Sequence, residues 1–325
     1  MSTVMERSRL EALPMVDFAP FFAGRRKEVA REIGHACGTI GFFYLKNHGV
    51  DQRKRDNAFM AARRFFDAPM AVKMDEAIRA KPGSPRGYVP MFGHKDPKEK
   101  YADQMEMLRT ELELPADDPD IVAGNRLHTL NKWPPSMPEL RQAAGAYYDE
   151  MLKLSHCLLR AFALALDLPE EQFLGAYRKP LSQMNLVHYP PQKPLAPDNV
   201  HSLRPHADGD AFTILANDDV GGLQVLAGRE RWIEVPPIPG AFIINIGDVM
   251  AMWTNDRFPS TMHRVINSSG KERYSVPFFA MPDYDAVIEC LPTCCGPGDP
   301  PKHAPFVMGE YVQSRLSKEL DHKNH

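Results

Sequence analysis

The most regular hydrophobic pattern in the chain predicts a long amphipathic helix over residues 138–168. Apolar side chains recur there at steps of three or four residues, which places them on one face of a helix. The stripe consists of Leu140, Ala144, Tyr147, Met151, Leu154, Leu158 and Phe162. We interpret this helix as a scaffold that packs on a sheet, and the pattern indicates no chemistry of its own.

Beyond Gln183 the pattern changes to short apolar runs separated by Gly, Pro, Asn and Asp. Many short strands at close spacing predict a sandwich or barrel of β-strands. The predicted strands cover residues 212–217, 223–226, 231–235, 241–246, 262–266 and 273–281. A helical pattern over 309–319 predicts a final helix that covers this barrel or its mouth.

The first third of the chain predicts a mixed, helix-rich region. Residues 26–37 have a helical pattern, and the apolar run at 41–45 is typical of a buried strand. Asp51 can cap a helix that extends to Phe66, because an Asp side chain accepts hydrogen bonds from the first backbone amides of a helix. Residues 81–135 are rich in Pro, Gly and charge, and there we predict loops with short elements only.

Composition and charge argue against several classes of function. The 325 residues include 39 Lys and Arg against 42 Asp and Glu, which gives a net charge of −3 with neutral His. This balance disfavours a nucleic-acid binder that relies on a basic face, and it gives no reason to expect a membrane partner. Residues 1–13 lack the apolar core of a secretion signal, and the five cysteines show no CxxC spacing. We therefore expect a cytoplasmic protein.

A candidate metal site lies in the predicted β region. His206 and Asp208 form an HxD pair, and residues two apart on a strand point to the same face. An HxD pair is common by chance, so a site needs a third ligand, for which His263 is the candidate. Two imidazoles and one carboxylate leave three positions open on an octahedral ion, which is typical of non-haem Fe(II). A Zn(II) site with three protein ligands and a water is the alternative.

A second pair of polar residues follows the candidate ligands. Arg273 and Ser275 also share a face of a strand, and a guanidinium binds a carboxylate through two parallel hydrogen bonds. We predict that the strands of His263 and Arg273 form a hairpin around residues 267–271, with 263 opposite 275 and an odd-residue loop or a bulge in the turn. A five-carbon diacid that chelates the metal could then reach Arg273 with its other carboxylate.

Several further motifs, spread over almost the whole chain, resemble one enzyme family. They are LPMVD at 13–17, GFFYLKNHGV at 41–50, FFDAP at 65–69, NKWP at 131–134, NIGD at 245–248, TN at 254–255 and STMHRV at 260–265. Together with the HxD and RxS pairs, they are similar to the isopenicillin N synthase-like branch of the Fe(II)/2-oxoglutarate-dependent oxygenases.

The resemblance implies an α+β fold with a mainly β core, the double-stranded β-helix or jelly roll, and a helix-rich N-terminal half packed on it. We divide the chain accordingly into four regions. They are a helix-rich N-terminal region (1–120), a linking segment with the scaffold helix (121–179), the jelly-roll core (180–285) and a C-terminal tail with a helix (286–325).

The resemblance also implies roles for individual residues. His206, Asp208 and His263 would bind Fe(II). Arg273, Ser275 and Tyr189 would hold the distal carboxylate of 2-oxoglutarate. Phe279 matches a position that faces the substrate in plant relatives. Asn185 is a further substrate-binding candidate, although plant relatives carry their Asn at the position of Val187.

The implied reaction consumes O₂ and 2-oxoglutarate, releases succinate and CO₂, and uses ascorbate as a reductant. It oxidises an unactivated C–H bond of a small organic molecule by hydroxylation, desaturation or cyclisation. Three alternatives stay open on the residues alone: an Fe(II) oxidase of the same family that uses no 2-oxoglutarate, a non-catalytic jelly roll that binds a small acid, and a zinc hydrolase. The prime substrate and the oligomeric state stay open as well.

Other polar and apolar residues have simpler interpretations. We expect His48 to be structural, with its ring hydrogen-bonded to a loop backbone. We expect Asp248 to form a turn. Met91, Phe92, Met105 and Met107 are weaker candidates for the substrate cavity, because Met mainly fills gaps in cores.

Overall fold

The computed structural model describes residues 11–81, 84–93, 103–191 and 201–321. The helices are α1 (Ala19–Phe22), α2 (Arg26–Thr39), α3 (Gln52–Phe66), α4 (Met70–Lys73), α5 (Pro119–Val122), α6 (Pro138–Ala165), α7 (Asp248–Trp253) and α8 (Met308–Asp321). The strands are β1 (Met15–Asp17), β2 (Phe42–Lys46), β3 (Gly87–Val89), β4 (Glu106–Glu111), β5 (Gln183–Tyr189), β6 (Leu203–His206), β7 (Phe212–Asn217), β8 (Leu223–Ala227), β9 (Arg231–Glu234), β10 (Phe242–Ile246), β11 (His263–Val265), β12 (Arg273–Ala280), β13 (Val287–Ile288) and β14 (Phe306–Val307).

Two sheets form the core of the molecule. The major sheet has the strand order β1-β2-β10-β7-β12-β5-β4-β3, and the minor sheet has the order β6-β11-β8-β9. Their inner faces share one apolar cluster, to which Tyr44, Val187 and Ile243 contribute from the major sheet and Val225 and Val265 from the minor sheet. This arrangement confirms the predicted jelly roll. Four strands of the major sheet come from the first 120 residues, so the N-terminal region shares the core sheet.

The helices cover the outer face of the major sheet. Both α2 and α3 pack against α6, whose apolar stripe is buried as predicted. Asp51 caps α3, because its side chain accepts a hydrogen bond from the backbone amide of Arg53 at 2.9 Å. Gly41 connects α2 to β2 with a positive φ of 73°, and a side chain there would meet the carbonyl oxygen of Pro259 at 2.2 Å. None of the described helices is both long enough and apolar enough to cross a membrane.

The predicted hairpin between the strands of His263 and Arg273 is wrong. Strand β11 pairs with β6 and β8 in the minor sheet, whereas β12 pairs with β5 and β7 in the major sheet. The chain crosses between the sheets at Asn267, whose side-chain amide donates to the carbonyl oxygens of Tyr189 at 3.3 Å and of Lys271 at 2.8 Å. His263 and Arg273 are therefore positioned by two facing sheets.

The short elements predicted within 81–135 include a strand of the major sheet that the sequence did not reveal, β4. This six-residue strand pairs with β5 along its whole length and with β3 on its other side. The sequence EMLRTE did not suggest a strand because charged residues interrupt the apolar alternation. Two of those charges are buried with partners: Glu106 lies 2.9 Å from Lys73, and Glu111 lies 2.8 Å from Arg86.

A buried polar network on the outer face of the major sheet joins β4 to β5. His188 contacts the Glu106 carboxylate through Nδ1 at 2.8 Å and the Glu272 carboxylate through Nε2 at 2.5 Å. Tyr88 donates to Glu106 at 2.5 Å, and Lys73 donates to it at 2.9 Å. Burial alone would lower the pKa of His188, but the hydrogen bonds to the two carboxylates outweigh burial and raise the pKa above 6.5.

We predict that His188→Gln destabilises the protein more at pH 6 than at pH 9. Because the folded-state pKa of His188 is raised, its stabilising contribution is complete below the unfolded pKa and is lost as pH rises through the folded pKa. The expected loss at pH 6 is about 1–3 kcal/mol, the range for hydrogen bonds to charged groups. Urea unfolding at both pH values measures it, with the exposed His35→Gln as control. An equal loss at both pH values would contradict the assignment.

Candidate metal centre and adjoining cavity

Three potential metal ligands converge between the two sheets. His206 ends β6, His263 begins β11, and the two residues are directly paired across the strands. Asp208 lies in the loop after β6, so it does not share a strand face with His206 as the HxD argument assumed. The loop nevertheless brings the Asp208 Oδ1 atom to 3.5 Å from His206 Nε2 and to 3.6 Å from His263 Nε2. One donor atom from each residue lies within 4.8 Å of the other two, an arrangement that could hold a metal ion.

Both imidazoles are oriented by their second ring nitrogen. His206 Nδ1 lies 2.9 Å from the carbonyl oxygen of Arg204, and His263 Nδ1 lies 3.2 Å from that of Thr261. A carbonyl oxygen only accepts hydrogen bonds, so each Nδ1 carries the proton. In each ring Nε2 is then the nitrogen that faces Asp208 and is left to ligate a metal ion.

The second carboxylate oxygen of Asp208 is fixed by two buried side chains. Asp208 Oδ2 accepts hydrogen bonds from Thr213 Oγ1 at 2.5 Å and from Asn245 Nδ2 at 2.7 Å. Oδ1 is thereby left to face the histidines. The role of Thr213 was missed in the sequence, where nothing distinguishes it from other strand residues. Asn245 stands in the NIGD motif, but that motif did not reveal its partner.

The charges of Asp208 and His263 are set by burial and by the neighbouring side chains. Burial would raise the pKa of Asp208, but His263, His206 and the Thr213 hydrogen bond outweigh burial and hold the pKa below its usual range. Burial and the charge of His206 lower the pKa of His263 to about 4. At neutral pH Asp208 is therefore ionised and His263 is neutral, the forms in which these groups ligate metals.

The loop that carries Asp208 is held by the start of α7. The backbone amide of Asp248 donates to the carbonyl oxygen of Asp208 at 2.8 Å, and that of Gly247 donates to Ala211 at 3.0 Å. A side chain at Gly247 would meet Asp210 Oδ1 at 2.1 Å, so only glycine fits there. Asp248 is the first residue of α7 and its carboxylate accepts a hydrogen bond from Arg315 at 3.2 Å, so the expectation that it forms a turn is wrong.

Arg273 is a buried cation with unused donors. Its side chain is 1% exposed, and its Nη2 donates to Asn217 Oδ1 at 3.0 Å. Within the described structure, its Nε and Nη1 atoms are buried without a hydrogen-bond partner. The Tyr189 ring lies 4.6 Å from the guanidinium carbon, and Ser275 lies two residues further along the same buried strand. A carboxylate is a ligand that a buried guanidinium with unused N–H groups can bind.

A cavity of about 330 Å³ opens beside Asp208 and His206. Phe279 and Asn185 line it, as do Met105 and Met107, whereas Met91 and Phe92 are not among its lining residues. Alternate residues of β4, β5 and β12 form the floor of the cavity. The C-terminal helix α8 contributes Arg315 to its wall, which agrees with the prediction that this helix covers the barrel or its mouth. Arg109, on β4, also lines the cavity and was missed because no strand was predicted there.

His48 lies apart from this centre. Its Nε2 atom is 3.1 Å from the carbonyl oxygen of Gly240, its Nδ1 atom accepts from the Val50 amide at 3.2 Å, and its ring stacks on Phe242. These contacts agree with the expected structural role.

We predict that Thr213→Val weakens metal binding about 10- to 100-fold, the usual effect of removing a partner that orients a ligand. Valine keeps the shape of threonine but no longer fixes Asp208 Oδ2. Titration of the metal-free protein with Mn(II) measures the affinity. Thr110→Val is the matched control, because Thr110 is a buried strand residue whose hydroxyl donates to the Met184 carbonyl oxygen. Equal Mn(II) affinities in the two variants would contradict the role of Thr213.

Comparisons with known proteins identify the family. The family model of the 2OG-Fe(II) oxygenase superfamily matches residues 180–282, and that of the non-haem dioxygenase in morphine synthesis N-terminal region matches residues 13–136. The chain is 34% identical, over 93% of its length and 90% of the relative's, to the 2-oxoglutarate-Fe(II) type oxidoreductase hxnY of Emericella nidulans.

Two solved structures share the fold. A full-length Neurospora crassa protein in complex with alpha-KG and thymine has a TM-score of 0.83 and 25% identity, with 95% of this chain and 98% of that chain covered. JOX2 in complex with 2OG, Fe and JA has a TM-score of 0.78 and 30% identity, with 96% and 91% covered. These matches confirm the resemblance seen in the sequence. The chain belongs to the 2OG-Fe(II) oxygenase superfamily and is a non-haem oxygenase that depends on Fe(II) and 2-oxoglutarate.

Proposed function

We propose that this oxygenase holds Fe(II) with His206, Asp208 and His263 and oxidises an unactivated C–H bond of a small organic molecule bound in the adjoining cavity. The observation that carries the proposal is the convergence of two Nε2 atoms and one Oδ1 atom. The other ring nitrogen of each histidine and the other carboxylate oxygen of Asp208 are held by hydrogen bonds. A set of two imidazoles and one carboxylate leaves three positions of an octahedral ion for other ligands.

Fe(II) bound there would supply the chemistry that couples O₂ to the oxidative decarboxylation of 2-oxoglutarate, with release of succinate and CO₂ and oxidation of the substrate. Ascorbate serves as reductant in this family. The residues of the chain contribute geometry and charge. Thr213 and Asn245 keep one oxygen of Asp208 occupied, so that the other is directed to the metal.

Arg273 is the proposed site of the distal carboxylate of 2-oxoglutarate. Its burial and its two nitrogen atoms without a hydrogen-bond partner support this assignment, since a buried guanidinium needs an anion to complete its hydrogen bonds. Asn217 fixes Nη2, and the Tyr189 ring keeps the guanidinium plane in place. Ser275, on the same face of β12, is placed to add a hydroxyl donor.

A small-molecule substrate is supported by the size of the cavity and by the thymine and JA named in the structures of the two relatives. Phe279 and Val187 give the cavity apolar walls that exclude water near the metal, and Asn185 adds a polar group. We also propose a cytoplasmic location, because all five cysteines are free thiols, as expected in a reducing compartment. Hydroxylation, desaturation and cyclisation all agree with this site.

The first test replaces a proposed metal ligand. Wild-type protein with Fe(II), 2-oxoglutarate and O₂ is expected to form succinate, and His206→Ala is expected to reduce succinate formation to background because one of the three donors is lost. The exposed His35→Ala is the control and should match the wild type. Succinate formation by His206→Ala at the wild-type rate would refute the ligand assignment, and its absence in the wild type would favour an oxidase that uses no 2-oxoglutarate.

The second test addresses the co-substrate. Arg273→Leu is expected to raise the KM for 2-oxoglutarate at least about 30-fold, because truncating one partner of a buried charged pair costs about 2 kcal/mol or more. The same substitution at the exposed Arg31 on α2 should leave this KM unchanged. An unchanged KM in Arg273→Leu, with the fold intact by circular dichroism, would place the distal carboxylate elsewhere.

A further inference from the structure

The substrate cavity contains one arginine that the rest of the site does not neutralise. Arg109, Arg204 and Arg315 all line the cavity. Arg204 lies 2.8 Å from the Asp103 carboxylate, and Arg315 lies 3.2 Å from that of Asp248. In the described structure, Arg109 has no carboxylate within ion-pair distance, and its Nε donates only to the Met107 sulfur at 3.4 Å. Its positive charge is therefore available to a ligand.

The carboxylate nearest along β4 does not neutralise Arg109. Glu111 pairs with Arg86 at 2.8 Å and accepts a hydrogen bond from Gln183 at 3.3 Å. Burial raises the pKa of Glu111 to about 7, even though Arg86 and Arg109 pull it down. Glu111 is thus only partly ionised near neutral pH, and the charge that it does carry faces Arg86.

A second unsatisfied group lies directly beside Arg109. Asn185 on β5 is the cross-strand partner of Arg109, so the two side chains share the face that lines the cavity. Asn185 is only 7% exposed, and its Oδ1 atom has no hydrogen-bond partner in the described structure. A buried amide oxygen without a donor is unfavourable, so a ligand that donates an N–H or O–H there would be favoured.

Arg109 and Arg273 stand at separate positions of the major sheet. Both residues are paired with β5, Arg273 opposite Tyr189 on one side and Arg109 opposite Asn185 on the other. Four residues of β5 separate those positions, or about 13 Å along the strand. The proposed 2-oxoglutarate at Arg273 thus leaves Arg109 for a second molecule. Met107, opposite Val187, provides an apolar surface between them, and Phe279 lies beyond Asn185, opposite Gln183.

We infer that the prime substrate is a small organic acid. Its carboxylate binds Arg109, an N–H or O–H next to the carboxylate donates to Asn185, and its apolar body packs against Met107 and Phe279. This inference rests on the proposed function, because it assigns the substrate class of the same cavity. It makes Arg109 and Asn185 determinants of specificity, and it gives the metal ligands no new role.

Matched acids and amides test the charge requirement. N-acetylphenylalanine and N-acetylleucine are titrated into protein loaded with Mn(II) and 2-oxoglutarate under argon, and so are their carboxamides, with binding measured by calorimetry. The wild type is expected to bind each acid at least about 30-fold more tightly than its amide. Arg109→Met should reduce this ratio to near one, and Arg109→Lys should leave an intermediate ratio. Arg64→Met, at an exposed position of α3, should keep the wild-type ratio.

A separate experiment tests whether the ligand must donate a hydrogen bond to Asn185. Asn185→Ala is expected to weaken binding of N-acetylphenylalanine about fivefold but not of 3-phenylpropanoate, which has no donor next to its carboxylate. Equal binding of acids and amides by the wild type would overturn the inference, and so would a wild-type ratio in Arg109→Met or competition of the acids with 2-oxoglutarate. Succinate formation with Fe(II) is assayed separately. Its absence counts against the proposed function, whereas succinate formation with an unchanged acid-to-amide ratio counts against the inference alone.

Discussion

One face of the major sheet must pack against the helices with apolar side chains, and the other must present the polar groups of the site. The rest of the structure depends on that constraint. Successive side chains of a strand point to opposite faces, so each strand of this sheet contributes to two environments. In β12, Tyr274, Val276 and Phe278 pack into the cluster beneath the helices, whereas Arg273 and Phe279 point to the other side. A shift of one residue in register would bury the apolar set on the wrong face, so the same apolar packing that stabilises the fold fixes the position of Arg273.

The metal ligands depend on a different device, because Asp208 lies outside regular structure. Its loop is held from both ends, by the pairing of His206 with His263 and by the backbone amides at the start of α7. Gly247 allows α7 to approach the loop so closely. The hydrogen bonds of Asn245 then orient the carboxylate. A loop fixed in this way can orient a carboxylate as firmly as a strand does.

The sequence allowed the prediction of those parts whose signal is local. The stripe of α6, the cap at Asp51 and most strands beyond Gln183 follow from periodicity and turn residues, and the structure has them. Strand partners are not local, and the hairpin failed for that reason: Asn267 directs the chain to the other sheet through contacts with residues that are distant in sequence. Strand β4 was missed because its buried charges are satisfied by partners such as Lys73, which no local pattern shows.

The same limit explains why one arginine was found from the sequence and the other was not. Arg273 stands in a short motif beside Ser275, whereas the environment of Arg109 depends on β4 pairing with β5. Yet the physical argument is the same for both. Burying a guanidinium without an anion is costly, and a folded chain usually supplies the anion itself, as Asp103 does for Arg204. Where the chain leaves buried donors unused, as at Arg273, binding of an anionic ligand recovers that cost, so such a site discriminates by charge before it discriminates by shape.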